Sequence, residues 1–254
     1  MKGEKILITG GAGFIGSNFV RKILKKEPDK QIIVLDALTY AGNKDNLKDV
    51  IDKITFVHGD IRNRKDVEKS IKNCNKIIHF AAETHVDRSI SDPTPFLSTD
   101  VLGTGMLLDV ARKHHIEKFV HISTDEVYGS VKIGKFREGD PFKPSSPYSA
   151  SKAGADLLAR AFYKTYKFPV IIVRPSNNYG PYQHPEKFIP LFITNLLREK
   201  KVPLYGDGSN VRDWLFVEDC CEAILTVLEK GKIGEAYNIS GECEKANLEV
   251  YKYS

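Results

Sequence analysis

The sequence predicts an α/β protein: an open, doubly wound parallel sheet followed by a smaller C-terminal region. Three observations point there. Short, nearly continuous apolar runs alternate with longer amphipathic stretches through the first 175 residues. That is the pattern of strands covered on both faces and joined by crossover helices. Glycines 10, 13 and 16 sit where the first strand turns into the first helix. After Arg174, prolines at 175, 181, 185, 190 and 203 break the alternation, which favours turns and helix starts over further sheet core.

In order, strands are expected at 5–9, 31–36, 54–58, 76–80, 118–123 and 170–174, all rich in Ile, Val, Leu and Phe. Helical spacing of apolar residues occupies 14–26, 64–73, about 96–114, 149–166, 188–200 and 217–228. Asn247 reads as an N-cap opening one more helix. The change of texture divides the chain into a cofactor-binding domain over 1–175 and a substrate-binding region over 176–254.

The 254 residues are 41% hydrophobic, enough for a sizeable core and too apolar for a disordered chain. No apolar run approaches the ~18 residues of a membrane span, and no secretory leader pattern is present. A soluble, cytoplasmic protein without a membrane partner is expected. The net charge of +5 comes without a basic block, zinc-knuckle spacing or RNA-binding aromatic signature. Nucleic acid is therefore not an expected partner, whereas a phosphate-bearing substrate suits the charge. Cys74, Cys220, Cys221 and Cys243 fit neither a disulfide framework nor a zinc site, so reduced thiols and no metal are expected.

Thr9-Gly-Gly-Ala-Gly-Phe-Ile-Gly16 has the form of a dinucleotide-binding turn. Gly10 permits the tight turn, Gly13 lets a pyrophosphate approach the backbone, and Gly16 lets helix pack on strand. The helix N-terminus then faces the diphosphate. Asp36 ends the second strand 20 residues later, where a carboxylate accepts the adenosine ribose hydroxyls. Its charge repels a 2′-phosphate, so NAD is favoured over NADP. Asp60 and Ile61 end the third strand where the adenine ring would lie. The sheet is thus expected to be of Rossmann type.

Tyr148 and Lys152 lie four residues apart on a helical stretch, phenol and ammonium one turn apart on one face. A neighbouring ammonium favours phenolate, lowering the Tyr148 pKa from about 10 toward neutrality. Ser123 and Thr124 end the fifth strand, at the edge where open sheets bind ligands. Asp125 and Glu126 follow directly. Beside a hydride acceptor and a phenol base, two acids suit separate acid and base roles, as an elimination of water requires.

The glycine turn with Tyr148-x-x-x-Lys152 resembles the extended short-chain dehydrogenase/reductases. Asp36-Ala-Leu-Thr-Tyr-Ala-Gly42, His85-Val-Asp-Arg-Ser89, Ser123-Thr-Asp-Glu-Val-Tyr-Gly129, Asn177-Asn-Tyr-Gly-Pro181 and Arg212-Asp-Trp214 narrow the likeness. Together they resemble the dTDP-glucose 4,6-dehydratases, in register from about residue 5 to 249. The resemblance implies an NAD-dependent lyase that dehydrates dTDP-glucose for deoxysugar supply, commonly rhamnose. Tyr148 would deprotonate the 4-hydroxyl, with Lys152 holding the phenolate and nicotinamide ribose and Thr124 bonding the 4-oxygen. Glu126 would remove the C5 proton while Asp125 protonates the leaving C6 hydroxyl.

Further cofactor contacts implied by the resemblance are Phe14, Ile15, Leu38, Thr39, Thr99 and Asn178, with Ala81, Ala82, Glu83 and Thr84 after the fourth strand. Thr84, Thr124, Asn177, Lys187, Phe188, Pro203, Tyr205, Arg212 and Asn247 match nucleotide-sugar positions. Arg212 and Lys187 suit a diphosphate, one by its fork of donors and the other by point charge. Helices after strands four and five resemble those that pair in a homodimer.

Three positions depart from the pattern: Asp100 replaces a usual Asn, Thr84 a usual Ser, and Cys220 a frequent His. Relatives continue for tens of residues, so an incomplete substrate region with weakened nucleotide-sugar binding is expected. The rival readings are a nucleotide-sugar 4-epimerase or decarboxylase, against which Asp125-Glu126 stands, and an impaired fragment that only binds NAD.

Overall fold

Residues 4–131, 134–202 and 207–253 are described by the computed structural model. In chain order the elements are β1 (Lys5–Thr9), α1 (Phe14–Lys26), β2 (Gln31–Asp36), β3 (Ile54–His58), α2 (Arg64–Ile71), β4 (Lys76–His79), α3 (Val86–Ser91), α4 (Thr94–Phe96), α5 (Thr104–Ala111), β5 (Lys118–Ile122), α6 (Pro147–Tyr166), β6 (Val170–Pro175), β7 (Asn177–Tyr179), α7 (Phe188–Leu197), β8 (Val211–Phe216), α8 (Val217–Lys230), β9 (Ala236–Ile239), β10 (Glu244–Ala246) and α9 (Asn247–Tyr253).

Seven strands form the main sheet in the order β3-β2-β1-β4-β5-β6-β9, every neighbouring pair parallel. Chain order reverses between β1 and β4, which opens a crevice at their carboxyl ends. Successive strand residues point to opposite faces. Ile6, Ile8, Val34, Ile78, Val120 and Ile171 therefore pack under α1 and α8. Leu7, Ile33, Leu35, Ile77, Phe119 and Ile172 pack under α2, α5 and α6. Each fully buried side chain of this size contributes about 1.5–3 kcal/mol, so the two layers hold the strand ends in fixed relation.

The expected strands appear with small shifts at the edge that matters. β4 and β5 each end one residue early, at His79 and Ile122, which releases Phe80 and Ser123 into the crevice loops. The helix expected over 96–114 is interrupted. After α4 comes a π-helical stretch, Leu97–Gly103, before α5 begins. The wider turn carries Asp100 into the interior, where it is 1% exposed; such insertions often accompany functional sites. α6 starts at Pro147, two residues before the expected start, because Ser146 and Ser149 form a reciprocal capping box.

The C-terminal region departs more. Its prolines do not exclude strands: β10, β8 and β7 form a second, three-stranded sheet, β10 antiparallel and β7 parallel to β8. The main sheet also crosses the boundary drawn at residue 175, since β9 pairs with β6. α8 shares the α1 core through Cys220, Cys221, Ile224 and Leu225. Cys220 is thus a core residue, and burial pushes its thiol up to about 12. All four cysteines are free, with Cys243 exposed. Asn247 is the first residue of α9 rather than its cap; Glu249 reaches back to accept from the Ala246 amide at 2.8 Å. Among the described residues no helix is long and apolar enough to cross a membrane.

Candidate active site

The crevice at the switch point is a cavity of about 310 Å³. Its floor is the glycine turn. Gly10 has φ +71, and a Cβ there would lie 2.5 Å from the Ala81 nitrogen. A Cβ on Gly16 would collide with the Gly10 carbonyl oxygen, so only glycine lets α1 begin this close to β1. No side chain caps α1, which leaves its first-turn N–H groups facing the cavity, a natural seat for a diphosphate.

Asp36 stands at the far wall. Its carboxyl accepts from the Ala12 and Leu38 amides, both at 2.8 Å. Burial raises its pKa, with the two amides opposing. Each oxygen keeps a lone pair for a ribose hydroxyl. Farther along, Arg62 Nε donates to both Asp60 oxygens, at 3.0 and 2.9 Å, and Nη2 donates to Oδ2 at 2.5 Å. Burial works against that carboxylate, but the Arg62 hydrogen bonds and charge hold it below its usual range.

The opposite wall carries the reactive groups. Lys152 is buried, and its ammonium donates to the Ile122 carbonyl at 2.8 Å. Thr124 caps a 3₁₀ turn, Asp125–Tyr128. Its hydroxyl accepts from the Glu126 amide and donates to the Asp125 carboxyl, both at 3.3 Å. Burial, then the Glu126 charge, push Asp125 up to about 7. Glu126 is also raised by burial, but the Arg212 and Lys187 cations pull it back. Burial thus raises both adjacent acids, Asp125 to about 7, while Lys187 and Arg212 oppose the rise at Glu126.

Tyr148 departs from expectation. Burial, then the charges of Glu126, Asp100 and Asp125, hold its phenol well above 10 against a hydrogen bond with Thr124. Sequence spacing placed a cation beside the phenol, and the Asp125-Glu126 pair near it, but gave no sign that Asp100 would reach it from the π-helical stretch.

The cavity gathers Gly10, Gly13, Phe14, Ile15, Gly16, Asp36, Thr39, Asp60 and Ile61 on the cofactor side. The run 81–84, Thr99, Asn178, Tyr148 and Lys152 close it, and Thr84, Thr124, Asn177 and Lys187 line the part expected for the nucleotide sugar. Leu38 does not line it; the side chain packs against the α1 core. Phe188 joins an aromatic cluster with Phe192 and Trp214 at 4.1 and 5.8 Å. Arg212 is exposed on β8, outside the cavity wall, although its charge reaches Asp125 and Glu126. Asn247 is buried at the start of α9, away from the wall. Pro203 and Tyr205 lie outside the described residues.

Sequence reasoning missed Arg62, His85, Gln183 and His184, which also line the cavity. Arg62 had a signal, two residues after Asp60; the others sit in loops without periodicity. Across the mouth, Arg88 lies 4.1 Å over the Tyr40 ring and pairs with Glu186 at 2.8 Å. Among the described residues no group of three or more His, Cys, Asp or Glu is arranged to hold a metal.

Comparison with known proteins places this geometry in a family. The profile described as GDP-mannose 4,6 dehydratase matches residues 7–254. The low-salt glycan biosynthesis protein Agl12 of Haloferax volcanii is 54% identical over 247 residues, covering 96% of this chain and 79% of that protein. A dTDP-glucose 4,6-dehydratase of Mycobacterium tuberculosis is 49% identical over 251 residues, covering 98% of this chain and 76% of that protein. Among solved structures, DesIV, a dTDP-glucose 4,6-dehydratase from Streptomyces venezuelae with NAD and TYD bound, superposes with a TM-score of 0.96 at 51% identity, covering 98% of this chain and 79% of DesIV. UDP-glucuronic acid 4-epimerase from Bacillus cereus, in complex with UDP-glucuronic acid and NAD, gives 0.91 at 30% identity, covering 97% of this chain and 80% of its own. The chain belongs to the GDP-mannose 4,6 dehydratase family.

Proposed function

We propose that this protein is a hydro-lyase that converts dTDP-glucose to dTDP-4-keto-6-deoxyglucose with NAD bound in the switch-point cavity. The observation that carries the reading is the convergence of Asp125 and Glu126 with Tyr148, Thr124 and Lys152 on one cavity, where Asp125 is pushed up to about 7. The glycine cradle, the uncapped end of α1 and the lone pairs of Asp36 fit the cofactor's diphosphate and ribose. NAD bound there supplies a reversible hydride acceptor and a cationic ring that favours the phenolate of Tyr148.

The residues of this chain divide the proton work. Tyr148 takes the proton of the sugar 4-hydroxyl as the C4 hydride departs, with Thr124 bonding the 4-oxygen and Lys152 stabilising the phenolate. The 4-ketone acidifies C5, and Glu126 removes that proton. Asp125 gives its proton to the C6 hydroxyl, which leaves as water. The hydride returns to C6 and a proton to C5, so the reaction is redox-neutral overall. Lys187, its own pKa lowered by burial, faces Glu126 and steadies the carboxylate.

Residues 1–175 supply most of the cofactor site, with Asn178 added to it, and 176–254 add nucleotide-sugar contacts to Thr84 and Thr124, with α8 and β9 returning to the sheet. Exposed Leu97, Leu102 and Leu157 support pairing of the α4–α6 face in a homodimer. The resemblance further supports a cytoplasmic role in deoxysugar supply. Incubation of the NAD-loaded protein with dTDP-glucose tests the reading: 4-keto-6-deoxy product is expected. A 4-epimer, or no product, contradicts it.

A further inference from the structure

The 3₁₀ turn that carries Asp125 and Glu126 ends on Tyr128, and Tyr128 is tied to residues far away in the chain. Its ring is 1% exposed, stacked on Phe136 at 5.0 Å and edge-on to Phe142 at 5.7 Å. Its hydroxyl donates to Asn238 Oδ1 of β9 at 2.9 Å and accepts from Arg174 Nη1 of β6. Arg174 is fully buried. It forks onto Asp156 of α6 at 2.8 and 3.1 Å, and a second bond runs to the Glu138 carbonyl at 3.1 Å.

Asp156 follows Lys152 by one helical turn on α6, so it shares a face with the lysine. The Arg174 guanidinium therefore bridges the helix that carries Tyr148 and Lys152 to the turn that carries the two acids. A 3₁₀ turn has three residues per turn, which eclipses positions i and i+3. Asp125 and Tyr128 stand in that relation. The seating of Tyr128 therefore bears on the same single turn that holds the acid.

We propose that Tyr128, gripped by Arg174 and Asn238, is a positioning residue for the elimination half of the reaction, fixing Asp125 and Glu126 against the Tyr148–Lys152 helix. The proposal rests on the dehydratase reading. A polar network that only filled the core would not need the hydroxyl. The Tyr128 ring is already packed, and Arg174 already has Asp156 and the Glu138 carbonyl. Among the described residues, the hydroxyl is the hydrogen bond that links the guanidinium to the turn. Oxidation at C4 uses Tyr148 and Lys152 on α6 with Thr124 at the cap of the turn, ahead of both acids, so a loosened turn should slow it less than elimination.

The test is Tyr128→Phe in the full chain with NAD bound, mixed rapidly with dTDP-glucose. Displacement of a catalytic group by about 1 Å costs on the order of 100-fold. A 10- to 100-fold fall in kcat is therefore expected, with KM changed less than about twofold. NADH absorbance should build up in the variant, because oxidised sugar waits for elimination. Asn238→Ala, which removes one of the two hydroxyl partners from a half-buried edge strand, should do the same more weakly, and it serves if the first variant folds poorly. Variants with wild-type kcat and no added NADH overturn the proposal. So does a loss shared equally by oxidation and elimination, which is what a merely structural role gives. Wild-type protein that forms no 4-keto-6-deoxy product removes the dehydratase reading, and the proposal with it.

Discussion

Asp100 accepts a 2.6 Å hydrogen bond from Ser151, the residue before Lys152, and with its other oxygen takes the Glu83 amide at 2.8 Å. The π-helical turn thus places a buried acid between the cofactor loop and the Tyr148–Lys152 helix. Burial pushes its carboxyl up to about 6, with Lys152, Ser151 and the Glu83 amide opposing. A carboxyl whose pKa is higher folded than unfolded binds its proton more tightly when folded. Stability is then lost as pH rises from 3.8 to about 6 and stays lost above.

Asp100→Asn keeps the shape, accepts from Glu83 and can donate to Ser151. It should raise stability above pH 6 by about 1–3 kcal/mol, several degrees in Tm, and add nothing near pH 4. Because ionised Asp100 also lifts the Tyr148 phenol, the variant's activity should begin at lower pH. Melting curves and kcat profiles from pH 4 to 9 check both. A uniform shift at all pH values contradicts the account.

Asp125 must carry a proton to expel water. With its pKa pushed up to about 7, the protonated form prevails below that pH and is lost above it. kcat should therefore fall as pH climbs through 7, approaching about tenfold per unit. Asp125→Asn should abolish this limb and slow product formation. A wild-type profile flat from pH 6 to 9 would place the proton elsewhere.

Glu126→Gln should bind NAD and nucleotide as well as the parent, yet lose about 100- to 10,000-fold in product formation, the range for a missing general base. Hydride abstraction from C4 should continue, visible as bound NADH. Turnover equal to wild type would remove Glu126 from the base role.

Gly16→Ala puts a methyl group on the Gly10 carbonyl. The helix must move away from the strand, at a cost of about 1–3 kcal/mol, and the seat for the diphosphate opens with it. Calorimetric titration should show NAD affinity at least about tenfold weaker. Unchanged affinity would detach the glycine turn from cofactor binding.

Six strands of the parallel sheet could be read from the sequence because they are continuous apolar runs, and their ends named the crevice; β9, only four residues long and interrupted by Asn238, could not. Nor could the second sheet. Asn177–Tyr179 is three residues long and polar, and Glu244–Ala246 is no longer; neither carries a period. The π-helical turn was hidden too, since one extra residue leaves the apolar spacing of 96–114 nearly intact. At the site, the glycine turn and the residues at the strand ends fall on the cavity as expected, whereas Leu38, Arg212 and Asn247 do not line it. The rise of Asp125 follows from burial with Glu126 beside it on one turn. The raised Tyr148 phenol depends first on burial, and Asp100 adds to it from the π-helical stretch, neither of which spacing along one helix reports.

In the proposed reaction one hydride leaves C4 and returns to C6 within a single bound sugar, with elimination between. Turnover of dTDP-glucose deuterated at C4, with the product followed by NMR, tests it most directly. The account predicts deuterium at C6 and a solvent-derived proton at C5. Deuterium still at C4, or lost to solvent, contradicts it.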